Sequence, residues 1–195
     1  MFRAIQIILI VLGILLALGS DKLSMPIMLY AGIACFGLLA MAIGWEAIIT
    51  RQIQLGRRRS GDLQTYTGFP AVLQGIQFNL IGLFLIGISA FVYFNNGDSG
   101  REIFLQFVRR PGILLVVIGL LMLLQSLVMF LGFRELNEGP SWMARVNLLF
   151  SRMLPGLILL VLGLGVTGLG LLEIAEPSLF DALGGGFLET LYGVR

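Results

Sequence analysis

The chain has 195 residues, a formal net charge of +2 at pH 7 and no histidine, and 57% of its residues are hydrophobic against 12% charged. Soluble domains are about half apolar and about a quarter charged, so this composition excludes an ordinary water-soluble fold. The lack of histidine removes the commonest metal ligand and general base, and a lone cysteine, Cys35, forms no internal disulfide. The sequence therefore implies no cofactor, since it offers no haem or metal ligand set.

Five continuously apolar blocks reach or approach the roughly 20 residues that a helix needs to cross a bilayer core. They cover about residues 4–19, 26–49, 70–94, 111–133 and 155–172. Because the blocks are continuously apolar rather than alternating, they indicate helices and not barrel strands. Four of them open with a proline, which is tolerated in a first helical turn: Pro26, Pro70, Pro111 and Pro155. The sequence thus predicts a single polytopic domain of the all-α integral membrane class, with about five transmembrane helices.

The first block has two interpretations. Arg3 before an apolar run, with Ala17 and Gly19 as small residues near its end, fits a secretory signal peptide. The same residues fit an uncleaved, signal-like anchor, which is the interpretation that we favour.

A basic cluster follows the second block in a short loop and consists of Arg57, Arg58 and Arg59. Three adjacent arginines beside a membrane attract anionic lipid head groups, at about 1 kcal/mol each. The loop is too short for the larger basic surface that nucleic-acid binding needs. With the N-terminus inside, eight of the Lys and Arg residues fall on the inner side and five on the outer side. We therefore expect a prokaryotic plasma membrane, with the N-terminus and this loop cytoplasmic and the C-terminal tail opposite.

Side-chain amides are the most polar feature deep in the spans. Gln74, Gln77 and Asn79 lie in the third block, and Gln125 and Ser126 lie late in the fourth. Since consecutive spans run in opposite directions, the two glutamines of the third block and the polar pair of the fourth share one half of the membrane. We expect cross-helix amide bonds here, worth roughly 0.6 to 2 kcal/mol each. The alternative is a polar path that these residues line.

Small residues mark the fifth block, where Gly163, Gly165, Gly168 and Gly170 predict a close-packing face. Its opening, PGLILLVLGL, resembles PGILLVVIGL of the fourth block, and an inverted transporter-type repeat would be one interpretation. We favour the simpler one, that Leu, Ile, Val and Gly spans resemble each other by composition.

Short amphipathic segments accompany the spans, at about residues 101–109, 141–153 and 178–192. Each places apolar side chains on one face, as expected of helices that lie in the membrane interface. Gly184 to Gly186 predicts a flexible joint in the last of them. Two carboxylates near span ends, Glu46 and Glu173, are interpreted as interfacial groups, with Glu46 close to Arg51.

Together these features favour a non-catalytic integral membrane protein, an accessory or structural subunit of a larger membrane complex. Its expected partners are membrane lipids and either other membrane subunits or further copies of itself, with no nucleic acid and no soluble substrate. The alternative function is a small homo-oligomeric channel or transporter whose third span lines the path.

Overall fold

A computed structural model of the chain describes residues 2–23, 25–55, 64–94, 110–134, 142, 146 and 149–185. Five helices in these ranges are long and apolar enough to cross a membrane. They are α1 (Phe2–Leu23), α2 (Pro26–Thr50), α3 (Phe69–Phe94), α4 (Gly112–Arg134) and α5 (Leu154–Ala175). The prediction of five helices long and apolar enough to span a membrane is confirmed, and the mostly helical fold is consistent with an all-α membrane protein.

Consecutive helices run antiparallel, and each packs mainly on its neighbours in the sequence. The contacts of α2 with α1 and α3, and of α4 with α5, are extensive, whereas α3 and α4 touch over a much smaller area. Between α1 and α2 the backbones approach closely, because a Cβ built on Gly32 would lie 3.1 Å from the carbonyl oxygen of Gly13. The helices therefore form two tightly packed groups, α1–α2–α3 and α4–α5, that meet through the α3–α4 contact.

A small antiparallel β-hairpin connects α2 to α3, which the sequence analysis did not predict. Its strands are β1 (Gln52–Leu55) and β2 (Gln64–Thr67). The chain enters it through Arg51, whose φ is 51°, and leaves it through Gly68, whose φ is 67°. The Gly68 N–H donates a 2.8 Å hydrogen bond to the Arg51 carbonyl oxygen. This bond closes the open end of the hairpin, where α2 ends and α3 begins.

The hairpin is anchored on the helices by Ile53, which is buried against Ala47 of α2 and Ala71 of α3. Tyr66, its partner across the strands, packs against the same cluster. An all-α description is thus incomplete at this end of the molecule.

The basic cluster of the sequence belongs to the connection between the two strands. This cluster lies outside the described residues. It consists of Arg57, Arg58 and Arg59, which are predicted to contact lipid head groups. Their contact with lipid therefore stays a prediction.

The predicted interfacial segments are described only in part. Residues 101–109 lie outside the described ranges, and of 141–153 only 142, 146 and a π-helical turn, Leu149–Met153, are described. Trp142 and Phe150 are exposed there. After α5, a short helix α6 (Pro177–Phe180) leads into a second π-helical turn, Asp181–Gly185, and buries Phe180. Gly184 has a φ of 101°, while Gly186 is not described.

Candidate functional site

Two glycine layers bring α2 and α3 into backbone contact. A Cβ built on Gly75 would lie 2.6 Å from the Gly44 carbonyl oxygen, and one built on Gly82 would lie 2.5 Å from that of Gly37. No Cβ fits at such distances from a backbone atom unless the helices move apart. Only glycine at these positions allows the observed approach, which maximises van der Waals contact between helices in lipid.

The same arrangement occurs between α4 and α5. A Cβ built on Gly170 would lie 2.7 Å from the Gly112 carbonyl oxygen, and one built on Gly163 would lie 3.1 Å from that of Gly119. Thr167 packs its side chain onto Gly119, and its hydroxyl donates to the Gly163 carbonyl oxygen at 2.7 Å. This pair of helices is therefore also held by two glycine layers.

A serine completes each of these helix pairs with a third layer. Ser89 Oγ of α3 donates to the Tyr30 carbonyl oxygen of α2 at 2.6 Å, and Ser126 Oγ of α4 donates to the Gly156 carbonyl oxygen of α5 at 2.8 Å. Both serines are buried. Each lies seven residues beyond the nearest glycine layer, which is about 10.5 Å along the helix. A seven-residue repeat is typical of antiparallel helices that cross at a small left-handed angle.

Amide side chains, rather than glycines, join α3 to α4. Gln74 Nε2 donates to Gln125 Oε1 at 2.9 Å, and Gln77 Nε2 donates to the Leu121 carbonyl oxygen at 3.1 Å. Gln74 is 5% exposed and Gln77 is 7% exposed. We call these two bonds the amide contact. It links the two tightly packed groups of helices across the smaller α3–α4 interface.

Asn79 takes a different direction from the two glutamines. Its side chain lies over Gly44, where a Cβ would be 2.9 Å from both Cγ and Nδ2 of Asn79. Its Oδ1 is buried and has no hydrogen-bond partner among the described residues. Asn79 therefore packs on α2 and has no part in the amide contact.

The structure thus brings together some of the predicted site residues and separates others. Gln74 meets Gln125, whereas Ser126 bonds to α5 and not to α3. Among the four glycines predicted to form that face of α5, Gly163 and Gly170 contact α4, but no described residue lies within 4 Å of a Cβ built on Gly165 or Gly168. Within the described residues the four glycines therefore do not all face α4, because 165 and 168 lie about 140° to 160° around the helix from 163 and 170.

The two carboxylates interpreted as interfacial groups both accept hydrogen bonds from another helix of the chain. Glu46 Oε2 accepts a 2.6 Å hydrogen bond from Gln6 Nε2, which ties α1 to α2. Glu173 is buried, and its Oε2 accepts the backbone N–H of Gly112 at 3.1 Å. The Glu173 carboxylate therefore caps the N-terminus of α4 from the neighbouring helix, where the helix dipole favours negative charge.

An open groove of about 330 Å³ lies beside the amide contact, between α3, α4 and α5. Its lining residues are Gln77, Ile81, Ile118, Leu121, Met122, Gln125 and Leu159. The groove has no counterpart among the sequence-based predictions, because its existence depends on how far apart α3 and α4 lie. Within the described ranges, no group of three or more Cys, Asp and Glu side chains is placed to bind a metal ion.

Comparisons of this chain with protein-family models, curated proteins and solved structures find no match.

Proposed function

We propose that this protein is a non-catalytic accessory or structural subunit of a larger membrane complex. The observation that carries the proposal is the open face of α5, which contains Gly165 and Gly168. Among the residues that the structure describes, nothing lies within 4 Å of a Cβ built on either glycine, whereas every other glycine of the helix contacts a neighbour. Glycine in a spanning helix lowers helix propensity, and it offers lipid chains little to pack against. It does allow the backbone of another helix to approach closely.

The arrangement of this open face supports a partner helix as its occupant. Val161, Gly165, Gly168 and Leu172 follow each other at four- and three-residue steps, so they form one stripe along α5. Val161 and Leu172 thus flank a shallow notch, which is formed by the two glycines between them. Small residues at such spacing between bulkier ones are the usual contact surface of associating membrane helices.

The position of α5 in the fold adds to this argument. Within the described residues α5 packs chiefly on α4, and its opposite side has no neighbouring spanning helix among them. The exposed apolar side chains on that side suit either lipid or protein. The glycine notch distinguishes the two, because it favours a helix of another subunit over lipid chains.

The test is a pull-down of the full-length chain from native membranes in a mild detergent, followed by native gels and mass spectrometry. The wild type is expected to retain a fixed set of protein partners in constant stoichiometry. The double variant Gly165→Leu, Gly168→Leu fills the notch and is expected to lose them. Gly87→Leu on α3 is the matched control, since Gly87 is also exposed and has no neighbour within 4 Å in the described part of the chain.

Two outcomes would count against the proposal. One is a wild-type chain that is monomeric and free of partners in native membranes. The other is a double variant that keeps the same partners as the Gly87→Leu control while both remain folded, as judged by thermal stability in detergent.

The alternative function, a homo-oligomeric channel with α3 along the path, has less support from the side-chain contacts. Gln74 and Gln77 are buried and donate their hydrogen bonds to α4, so they are engaged inside the chain. The alternative predicts that a Gln74→Leu, Gln77→Leu variant still assembles as a homo-oligomer but loses flux in liposomes. The subunit proposal predicts no flux in either protein.

The proposed location is a prokaryotic plasma membrane, with the N-terminus and the arginine loop, residues 57–59, on the cytoplasmic side. The support is the excess of basic residues on that side in the sequence. The single substitutions Arg58→Cys and Thr190→Cys, each in a Cys35→Ala background, test it. A membrane-impermeant maleimide added to whole cells is expected to label the second variant and not the first.

A further inference from the structure

The tight contacts between α2 and α3 have equivalents between α5 and α4. On α3 and α4 the residues that correspond are Gly75 with Gly112 and Gly82 with Gly119. On α2 and α5 the residues that meet them are Gly44 with Gly170, Gly37 with Gly163 and Met41 with Thr167. Each of these residues of α5 has a number higher by 126 than its counterpart on α2. The same shift therefore finds the equivalent on α5 of any other residue of α2.

Another side of α2 is covered by α1. A Cβ built on Gly32 of α2 would lie 3.1 Å from the Gly13 carbonyl oxygen of α1, and one built on Gly13 would lie 3.2 Å from the ring of Phe36. Glu46, near the end of α2, accepts its hydrogen bond from Gln6, near the start of α1, so the two helices are antiparallel. The three residues of α2 lie within about 80° around the helix, and they form one stripe.

The equivalent stripe on α5 is open. Its residues, with numbers higher by 126, are Ile158, Leu162 and Leu172. Ile158 is 49% exposed and Leu162 is 50% exposed, and no spanning helix among the described residues covers this side of α5. Gly165 belongs to the same stripe, since it lies about 20° around the helix from Ile158. The place that α1 takes on α2 thus has an equivalent on α5 with no helix of the described chain in it.

We infer that a single spanning helix of another polypeptide occupies this place and runs antiparallel to α5, as α1 runs antiparallel to α2. The N-terminus of this partner helix lies on the side of the membrane where α5 ends, near Ala175, and its C-terminus lies near Leu154. The inference rests on the subunit function proposed above, and it specifies the number of partner helices at this face and their direction.

The side chains of the stripe define the chemistry of the partner helix. The counterpart of Glu46 is Leu172, so the polar bond between α1 and α2 has no equivalent here, and the partner helix is uncharged and apolar along this face. The counterpart of Gly32 is Ile158, so the closest approach moves to Gly165, about 10.5 Å further along α5. At that level the partner helix presents a small residue, as α1 does to α2.

A second copy of this chain fits this place less well because of the direction of its helices. In copies inserted with one orientation, α1, α3 and α5 all run the same way. The helices that run opposite to α5 are α2 and α4, and each already packs on two spanning helices of its own chain. The helices at the two ends of the row, α1 and α5, have a free side but run parallel to the stripe.

The test places the photoreactive residue p-benzoylphenylalanine in the full-length chain at Ile158, Leu162 or Leu169, irradiates native membranes and sequences the adducts by mass spectrometry. All three positions are exposed and belong to the stripe. They are expected to label one apolar segment of one other protein, and the labelled residue is expected to shift toward the C-terminus of that segment as the probe moves from 169 to 158. Leu164 is the matched control, because it is 58% exposed but lies about 120° around α5 from Ile158, and it is expected to give lipid adducts only.

The order of labelling separates this inference from the function on which it rests. A partner segment labelled in the opposite, parallel order would overturn the inference and leave the subunit function standing. Adducts that join only copies of this chain would also overturn it, and lipid adducts alone at every position would overturn both. Adding Gly165→Leu is expected to lower the protein adduct from position 162 by about tenfold, because it overpacks the closest approach, whereas adding Gly87→Leu is expected to leave that adduct unchanged.

Discussion

Replacing Gly75 by alanine is expected to destabilise the protein by about 2 kcal/mol, because the new Cβ would lie 2.6 Å from the Gly44 carbonyl oxygen and 2.7 Å from Ile48 Cγ1. To reach an ordinary contact of about 3.4 Å, α2 and α3 must separate locally by roughly 0.8 Å. A gap of about that size removes between a quarter and a half of the van der Waals energy of each atom pair between the two helices at this layer. The gain of helix propensity from alanine, about 1 kcal/mol at most, offsets only part of that loss.

The control is Gly87→Ala, on the same helix at a position where a Cβ meets no described residue within 4 Å. This variant gains helix propensity without a clash, so its free energy of unfolding is expected to equal or slightly exceed that of the wild type. Both are measured by titrating mixed micelles with a denaturing detergent and following the fluorescence of Trp45, which is adjacent to Gly44. A Trp142→Phe background leaves Trp45 as the only tryptophan of the chain. If Gly75→Ala loses no more stability than Gly87→Ala, the glycine layers do not hold α2 and α3 together as argued.

Three further predictions use the same unfolding titration. A double-mutant cycle of Gln74→Leu and Gln125→Leu is expected to give a coupling energy of about 0.6 to 1.7 kcal/mol, and a coupling near zero would contradict a direct amide bond. Ser126→Ala is expected to cost about 1 kcal/mol, because it removes the hydroxyl of α4 that donates to the Gly156 carbonyl oxygen of α5, and an unchanged stability would contradict this. Glu173→Ala is expected to cost about 1 to 3 kcal/mol by leaving the first N–H of α4 unpaired, while Glu173→Gln, which retains an acceptor oxygen, is expected to cost less.

The positions of the spanning helices were predictable because length, apolarity and proline placement all act locally. The pairing of Gln74 with Gln125 was accessible for a similar reason, since depth along two antiparallel helices follows from residue counting at 1.5 Å per residue. That counting places both amides in the same half of the membrane. It does not fix helix rotation, which is why Ser126, one residue further on, bonds to α5 and not to α3.

The glycine layers left a signal in the sequence that was missed. Gly75, Gly82 and Ser89 are spaced by seven residues, and the same spacing separates Gly112, Gly119 and Ser126. Residues at this spacing lie on one face of a helix, so each set predicts a contact stripe. Helix arithmetic would likewise have divided the glycines of α5 into two faces. Which face meets α4 depends on tertiary packing, which composition does not determine.

The β-hairpin was harder to predict, because each strand has only four residues and their pairing spans a longer connection. Its local signal is the alternation of Gln52, Ile53, Gln54 and Leu55, which is typical of a strand with one buried face. Four alternating residues are too few to distinguish a strand from an ordinary loop between two spanning helices. The groove beside α4 has no sequence signal of its own, since it depends on the separation that the amide contact imposes.

The layers of the two helix pairs follow the same order along α3 and α4, although these helices run in opposite directions. Along each of them, from N- to C-terminus, come a glycine, a second glycine and a serine that bonds to the partner helix. The partner helices, α2 and α5, meet these layers in the same order as well. A rotation by 180° about an axis in the membrane plane, between α3 and α4, would therefore match α3 with α4 and α2 with α5.

This correspondence differs from the resemblance between the openings of the fourth and fifth spans, which compares α4 with its own partner. It also explains why the amide contact stands apart from the other interfaces. The contact lies between the two matched pairs, where the glycine layers are already used for α2 and α5, so α3 and α4 meet through longer side chains. Tight layers within each pair and a wider, bonded contact between the pairs are two consequences of one pattern, and the groove is the space between them.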